Sequence, residues 1–132
     1  MKALNNRDDL GTWLNDMGLV NEGAEIGVAF GGFSEIILKR WHGQVLNLVD
    51  LWKQQPADDY KERTNADNNF ELWHNQVKAI AARDQRVVVL QGYSHEVAAS
   101  FPAGSLDFVY IDANHAYEWV LKDIKAWWPK VK

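Results

Sequence analysis

The sequence predicts an α/β fold, an open and doubly wound sheet of parallel strands, and three observations predict it. Four short apolar runs recur along the chain: Ala24–Phe30, Gln44–Val49, Arg86–Leu90 and Leu106–Ile111. Each is nearly continuous in hydrophobicity, the texture of parallel strands covered on both faces rather than of strands with one wet face. Helical apolar periodicity fills the intervals between them. Right-handed crossovers make an open, doubly wound sheet the leading architecture, and the strand order expected of that fold is 3-2-1-4.

The first element is a helix. Leu10, Trp13, Leu14 and Met17 share one face, Asn5 or Asn6 is available as N-cap, and Asp8 and Asp9 fall in the first turn. Gly18 suits the left-handed position that ends many helices. Residues 1–20 therefore precede a set of βα units over 24–132, and the whole reads as one domain. Ile36, Ile37 and Trp41 mark the helix after the first strand; Phe70, Trp73, Val77 and Ile80 mark the next. Val97, Ala98 and Phe101 mark a short third. The last places Ala116, Trp119, Val120, Ile124 and Trp127 on one side, with Lys122, Asp123 and Lys125 largely opposite. Gln54–Asn69 is the longest candidate loop, with a helical turn around Tyr60–Arg63. There is no internal repeat and no linker-like tract.

Composition narrows the function classes. Of 132 residues, 47% are hydrophobic and 24% charged, an ordinary globular balance. Fourteen basic and eighteen acidic residues leave a net charge of −4 without a Lys/Arg cluster, so no nucleic-acid partner is expected. The absence of cysteine excludes disulfides, thiolate metal sites and cysteine nucleophiles. No apolar run reaches the roughly 18 residues of a membrane span, and the opening residues turn acidic where a signal peptide is apolar. A soluble, cytoplasmic chain is expected, with no membrane partner.

In such a sheet, ligands bind beyond the carboxyl ends of the strands. The first run ends in Glu25-Ile26-Gly27-Val28-Ala29-Phe30-Gly31-Gly32-Phe33-Ser34, where Gly27 and Gly31 allow a tight turn and close approach of a ligand. The same glycines equally serve an ordinary strand-to-helix turn. Asp50 ends the second run nineteen residues after Gly31, near the spacing at which an acid accepts ribose hydroxyls. A solvated strand-end Asp is the alternative. The dinucleotide pattern G-x-G-x-x-G has its second glycine replaced by Ala29, which disfavours NAD and FAD and favours a nucleoside cofactor without a pyrophosphate. Trp52 follows Asp50 closely and is expected near that cofactor. Gln91-Gly92-Tyr93-Ser94 ends the third run, with Ser94 a plausible helix N-cap and Gly92 and Tyr93 beside a bound base. The fourth ends in Tyr110-Ile111-Asp112-Ala113-Asn114-His115, an Asp and a His in the manner of a reaction site, or a helix cap beside two surface groups. His42, His74, His95 and His115 lie far apart, and Asp112 with His115 makes too few ligands, so no metal site is expected.

These segments resemble successive motifs of the class I S-adenosylmethionine-dependent methyltransferases: Glu25–Ser34, Val49–Lys53 and Gln91–Ser94. Ser105–Glu118 is the most specific match and is similar to the small-molecule branch called the methyltransferase-domain-24 type, distantly related to catechol O-methyltransferases. The resemblance covers about Ala24 to Lys132. It implies a Rossmann-like domain with S-adenosylmethionine as cofactor and O- or N-methyl transfer to a small molecule. Glu25, Gly27 and Gly31 would form the cofactor loop, and Ser34 or a neighbouring backbone N–H would hold the methionine carboxylate. Asp50 would bind the ribose, Gly92, Tyr93 and Ser94 would flank the adenine, and Asp112 would face the transferred methyl. Asp112 and His115 are the candidate catalytic bases.

The family continues with Gly-Gly, a fifth strand ending in a His-Asp pair, and two further strands. The sequence reads as C-terminally shortened against that pattern, and a non-catalytic cofactor-binding or interaction module is the alternative function. The last strand is expected to present a bare edge, with Val109 and Ile111 on one face and Phe108 and Tyr110 on the other. Trp127-Trp128 reads as apolar surface beside it. A two-fold homodimer through that edge is expected.

Overall fold

In the computed structural model, which describes residues 4–53, 69–113 and 117–132, the four apolar runs form a single sheet. Its strands are β1 (Glu22–Ile26), β2 (Val45–Asp50), β3 (Val87–Gln91) and β4 (Phe108–Ile111). All pairings are parallel, in the order β3-β2-β1-β4. Ile26 stands opposite Val49 on one side and Ile111 on the other, and Asp50 stands opposite Gln91. The carboxyl ends of all four strands therefore meet along one rim.

Helices cover both faces. On one side α1 (Leu10–Asp16), α2 (Gly32–Arg40) and α3 (Phe70–Arg83) pack Leu14, Ile37, Trp41, Val77 and Ile80 onto Leu46, Leu48, Val87 and Phe108. On the other, the short α4 (Ser94–Val97) and α5 (Tyr117–Trp127) bring Trp127 and neighbouring apolar groups onto Ala24, Ile26, Val49 and Leu106. This double burial is why the strands read as continuous apolar runs. Asn6 caps the opening 3₁₀ turn (Arg7–Asp9), accepting from the Asp8 N–H at 2.9 Å, and Gly18 takes φ +74°, both as the sequence indicates.

Four readings are corrected. The first run is not strand to Phe30: β1 stops at Ile26 because Gly27 and Ala29 adopt left-handed backbone, φ +86° and +54°. Ser94 does not cap α4; it is the first helical residue, and its hydroxyl bonds the Asp123 carboxyl instead. The inward stripe of α5 is Trp119-Asp123-Trp127, with Asp123 2% exposed and Ile124 45% exposed, so the helix is turned about one position from the apolar reading. Trp127 is accordingly buried, 5.3 Å ring to ring from Phe101, while Trp128 is exposed.

The β4 edge is partly covered. Val131 bridges Leu106 in parallel: the Leu106 N–H donates to Lys130 O and the Lys132 N–H to Leu106 O, both at 2.9 Å. Asp107 clamps this corner, with Lys132 Nζ at 3.0 Å from Oδ1 and the Asn21 N–H on Oδ2 at 2.7 Å. The loop and helical turn predicted over Gln54–Asn69 lie, but for Asn69, outside the described residues. No helix among the described residues is long and apolar enough to cross a membrane.

Candidate functional site

A cavity of about 310 Å³ opens at the carboxyl rim, over the point where the chain order switches between β1 and β4. Its floor is the loop from Gly27 to Gly31. Gly27 is obligatory there, because a Cβ at φ +86° would stand 2.1 Å from the Asp112 carbonyl oxygen. Gly31, at φ +90°, precedes α2, and a Cβ would press on Ile80 at 2.6 Å.

Asp50 straps this loop. Its Oδ2 accepts the Val28 and Ala29 N–H groups, each at 2.8 Å, and its Oδ1 accepts the Trp52 N–H at 3.0 Å. Three of the carboxylate's roughly four acceptor positions are thus committed to backbone, leaving one on Oδ1. Trp52 is a second strap. Its indole N–H donates to the Ala29 carbonyl at 2.8 Å, and its ring stacks on His74 at 4.4 Å and 8°. Trp52 is 4% exposed and packs behind the loop, so the expectation that it stands beside a ligand is corrected: it holds the loop from below.

Glu25 lies beneath the same loop, 2% exposed, and takes the Ser34 hydroxyl on Oε1 at 2.6 Å. Burial pushes its carboxyl up to about 8; the Ser34 hydrogen bond opposes the shift, and the charges of Asp50 and Asp112 add to it. Ser34 is fully buried and absent from the cavity wall, whereas Gly32 and Phe33 line it. Of the two roles read for this turn, the structure leaves the backbone N–H groups at the start of α2 and removes the Ser34 hydroxyl.

The remaining walls come from the other strand ends. Gly92, Tyr93 and Ser94 line one side, and Asp112 lines another with its backbone N–H on Ile26 O at 2.7 Å. His115 lies outside the described residues. Among the further lining residues that escaped the sequence reading are Phe70 and Trp73 from α3, Arg7, Trp119 and Asp123. Arg7 approaches from the N-terminal turn, its guanidinium 5.0 Å above the Phe33 ring and 4.0 Å from Asp112 Oδ2. No local pattern links residue 7 to residue 112. Trp119 and Asp123 arrive from α5, and their spacing of four, continued by Trp127, was the signal that all three share one stripe. Among the described residues, no group of three His, Asp or Glu side chains is placed to hold a metal ion.

Residues 24–132 match the family model described as "Methyltransferase domain", which spans every element from β1 onward. The chain belongs to this methyltransferase family. The methyltransferase domain is also similar in fold to solved structures that carry the same sheet. One, assigned as a caffeoyl-CoA O-methyltransferase from Staphylococcus aureus, superposes with TM-score 0.65 at 17% identity, covering 100% of this chain and 55% of that one. Another, assigned as an S-adenosyl-L-methionine-dependent methyltransferase from Methanococcus maripaludis, gives 0.62 at 16% identity, covering 96% and 50%. Spermidine synthase from Thermotoga maritima gives 0.59 at 15% identity, covering 86% and 35%. The methyltransferase domain therefore spans between a third and just over half of these chains. No curated protein matches it.

Proposed function

We propose that this methyltransferase domain binds S-adenosylmethionine in the rim cavity and supports O- or N-methyl transfer to a small molecule. The observation that carries the reading is the loop Gly27–Gly31, strapped by Asp50 and Trp52 and shaped without a pyrophosphate glycine, forming one cavity with Gly92–Ser94 and Asp112. When bound, the cofactor would supply an electrophilic methyl group on a sulfonium.

The chain's own residues bind and orient. The N–H groups that open α2 face the amino-acid carboxylate. The acceptor position left on Asp50 Oδ1 takes one ribose hydroxyl, not two, because Oδ2 is committed to Val28 and Ala29. Tyr93 and Trp119, whose rings stack at 5.9 Å and 18°, offer an aromatic wall to the base. Asp112, with Arg7 beside it, is the group we assign to receive the proton of the acceptor hydroxyl or amine. Alignment of the acceptor with the methyl group supplies most of the rate.

Calorimetric titration with S-adenosylmethionine, S-adenosylhomocysteine and NAD tests the reading. Either sulfur nucleoside should bind more tightly than NAD; NAD binding at least as tightly would overturn the cofactor assignment. Because the domain spans no more than 55% of the chains named above, a second reading is a cofactor-binding module that does not turn over by itself. Methyl release from labelled cofactor across a panel of catechols and amines separates the two.

A further inference from the structure

Arg7 is the cation at the β4 end of the rim cavity, and the proposed mechanism gives it no ligand. The turn that carries it is fixed from three sides. Asn6 caps it, Arg40 Nη1 donates to Asp9 Oδ1 at 2.8 Å and to Asp8 O at 3.2 Å, and Gly11 lies close against α2. A Cβ on Gly11 would stand 2.9 Å from Trp41 N. From this turn the guanidinium reaches over the cavity wall, 5.0 Å above the Phe33 ring, with Nη1 3.5 Å from Tyr110 Oη. Its remaining donors meet no acceptor within hydrogen-bond distance among the described residues. Asp112 Oδ2, at 4.0 Å, is beyond that distance, and so exposed a pair is worth little, which leaves the guanidinium available to a ligand. Lys53, also on the cavity wall, follows β2, and β1 lies between that strand and β4. Arg7 precedes residues 24–132, the part matched to the family, so its placement comes from the chain's own N-terminal segment.

We infer that Arg7 is a specificity-determining residue that binds a carboxylate carried by the methyl acceptor, so that the substrate is a small hydroxy- or amino-carboxylic acid. The inference rests on the methyl-transfer reading above and names its substrate class. A guanidinium presents a planar fork of donors that a carboxylate matches with two parallel hydrogen bonds. Asp112, assigned to receive the proton of the reacting hydroxyl or amine, stands 4.0 Å from that fork. One small molecule meets both groups only where its acid and its nucleophile share a short skeleton. Arg7 also offsets the repulsion that the Asp112 carboxylate would exert on an anionic acceptor. The cofactor's own carboxylate is assigned to the N–H groups opening α2, so Arg7 discriminates among acceptors.

Isosteric acid and amide pairs test this without turnover. The full chain, saturated with S-adenosylhomocysteine, is titrated calorimetrically with salicylate and salicylamide, anthranilate and anthranilamide, and lactate and lactamide. In at least one pair the parent should bind the acid about tenfold more tightly, the low end for bonds to a charged group because Arg7 is largely exposed. Arg7→Gln removes the charge and should bring that ratio close to one. Arg7→Lys keeps the charge without the fork and should retain part of the preference. A merely structural role would alter thermal stability and leave the ratio where it was. No preference for any acid in the parent, or a ratio unmoved in folded Arg7→Gln, overturns the inference and leaves the cofactor reading intact. Loss of S-adenosylhomocysteine affinity in Arg7→Gln by a similar factor would move Arg7 to the cofactor and overturn the inference equally. Failure of the parent to bind S-adenosylhomocysteine overturns both.

Discussion

At the scale of single residues, the strand-end Asp50 carries more than a ligand contact. The sequence casts it as a ribose acceptor. In the structure its carboxylate holds three loop N–H groups, so Asp50→Ala is expected to lower stability by about 2–3 kcal/mol, the range for lost bonds to a charged acceptor. The shift is read from the urea midpoint, and an unchanged midpoint would show that the loop holds its shape without the strap. Glu25 gives a second expectation. Its carboxyl titrates at about 8 when folded against the ordinary 4.5, so between those values the folded state keeps a proton that the unfolded chain has released. Its contribution is therefore fully present below pH 4.5 and lost as pH rises toward 8, at up to about 1.4 kcal/mol per pH unit. Glu25→Gln should flatten the fall of stability across that window. Denaturant melts at both ends of the window measure it, and a variant slope equal to the parent's would clear Glu25 of the effect.

Elements are joined by devices that no local pattern announces. Arg86, read simply as the start of the third apolar run, sends its guanidinium to the end of α2. Nη1 donates to Trp41 O at 2.7 Å and Nη2 to Leu38 O at 2.8 Å, while Asp84 braces it with Oδ2 at 2.7 Å from Nη2. The hydrogen bond from Arg86 holds the Asp84 carboxyl below its ordinary range, although burial opposes this. One side chain thus satisfies orphan carbonyls at the C-terminal end of α2 and fixes its angle to β3. Arg86→Met keeps most of the aliphatic stem and removes the donors. It should cost about 2 kcal/mol, a typical figure for charge-assisted bonds that are partly open to water. Equilibrium unfolding at constant m-value checks it. A loss below a few tenths would mean that water caps α2 equally well.

For the whole molecule, the β4 edge is the feature from which we propose self-association. The bridge at Val131 covers it at Leu106, and the strand from Phe108 to Ile111 stays at the margin of the sheet. An apolar groove of about 410 Å³ runs beside it, lined by Leu10, Leu14, Val109, Ile111 and Ile124, with the exposed Trp128 at its rim. An edge with free backbone groups and apolar flanks pairs readily with another chain. We therefore expect the 132-residue chain to self-associate in solution, as a two-fold dimer in its simplest form. Light scattering over a concentration series measures this. A monodisperse monomer at high micromolar concentration would mean that the short bridge and the Asp107–Lys132 clamp protect the edge sufficiently.

By itself the sequence determined what depends on neighbours along the chain: four parallel strands, the helices between them, the 3-2-1-4 order, and the turn at Gly27–Gly31. Apolar runs and helical spacing are local signals, and a sheet buried on both faces writes them strongly. The rim position of Asp50, Gly92 and Asp112 was equally legible, because strand ends are where the topology exposes side chains to a ligand. What the tertiary structure decided is which way each polar group turns. Ser34 faces Glu25, Trp52 reaches back to Ala29, and Asp123 meets Ser94 across twenty-nine positions of sequence. Whether a polar side chain meets ligand, solvent or backbone depends on which donor three-dimensional packing brings within about 3 Å, and residue spacing holds no record of that distance.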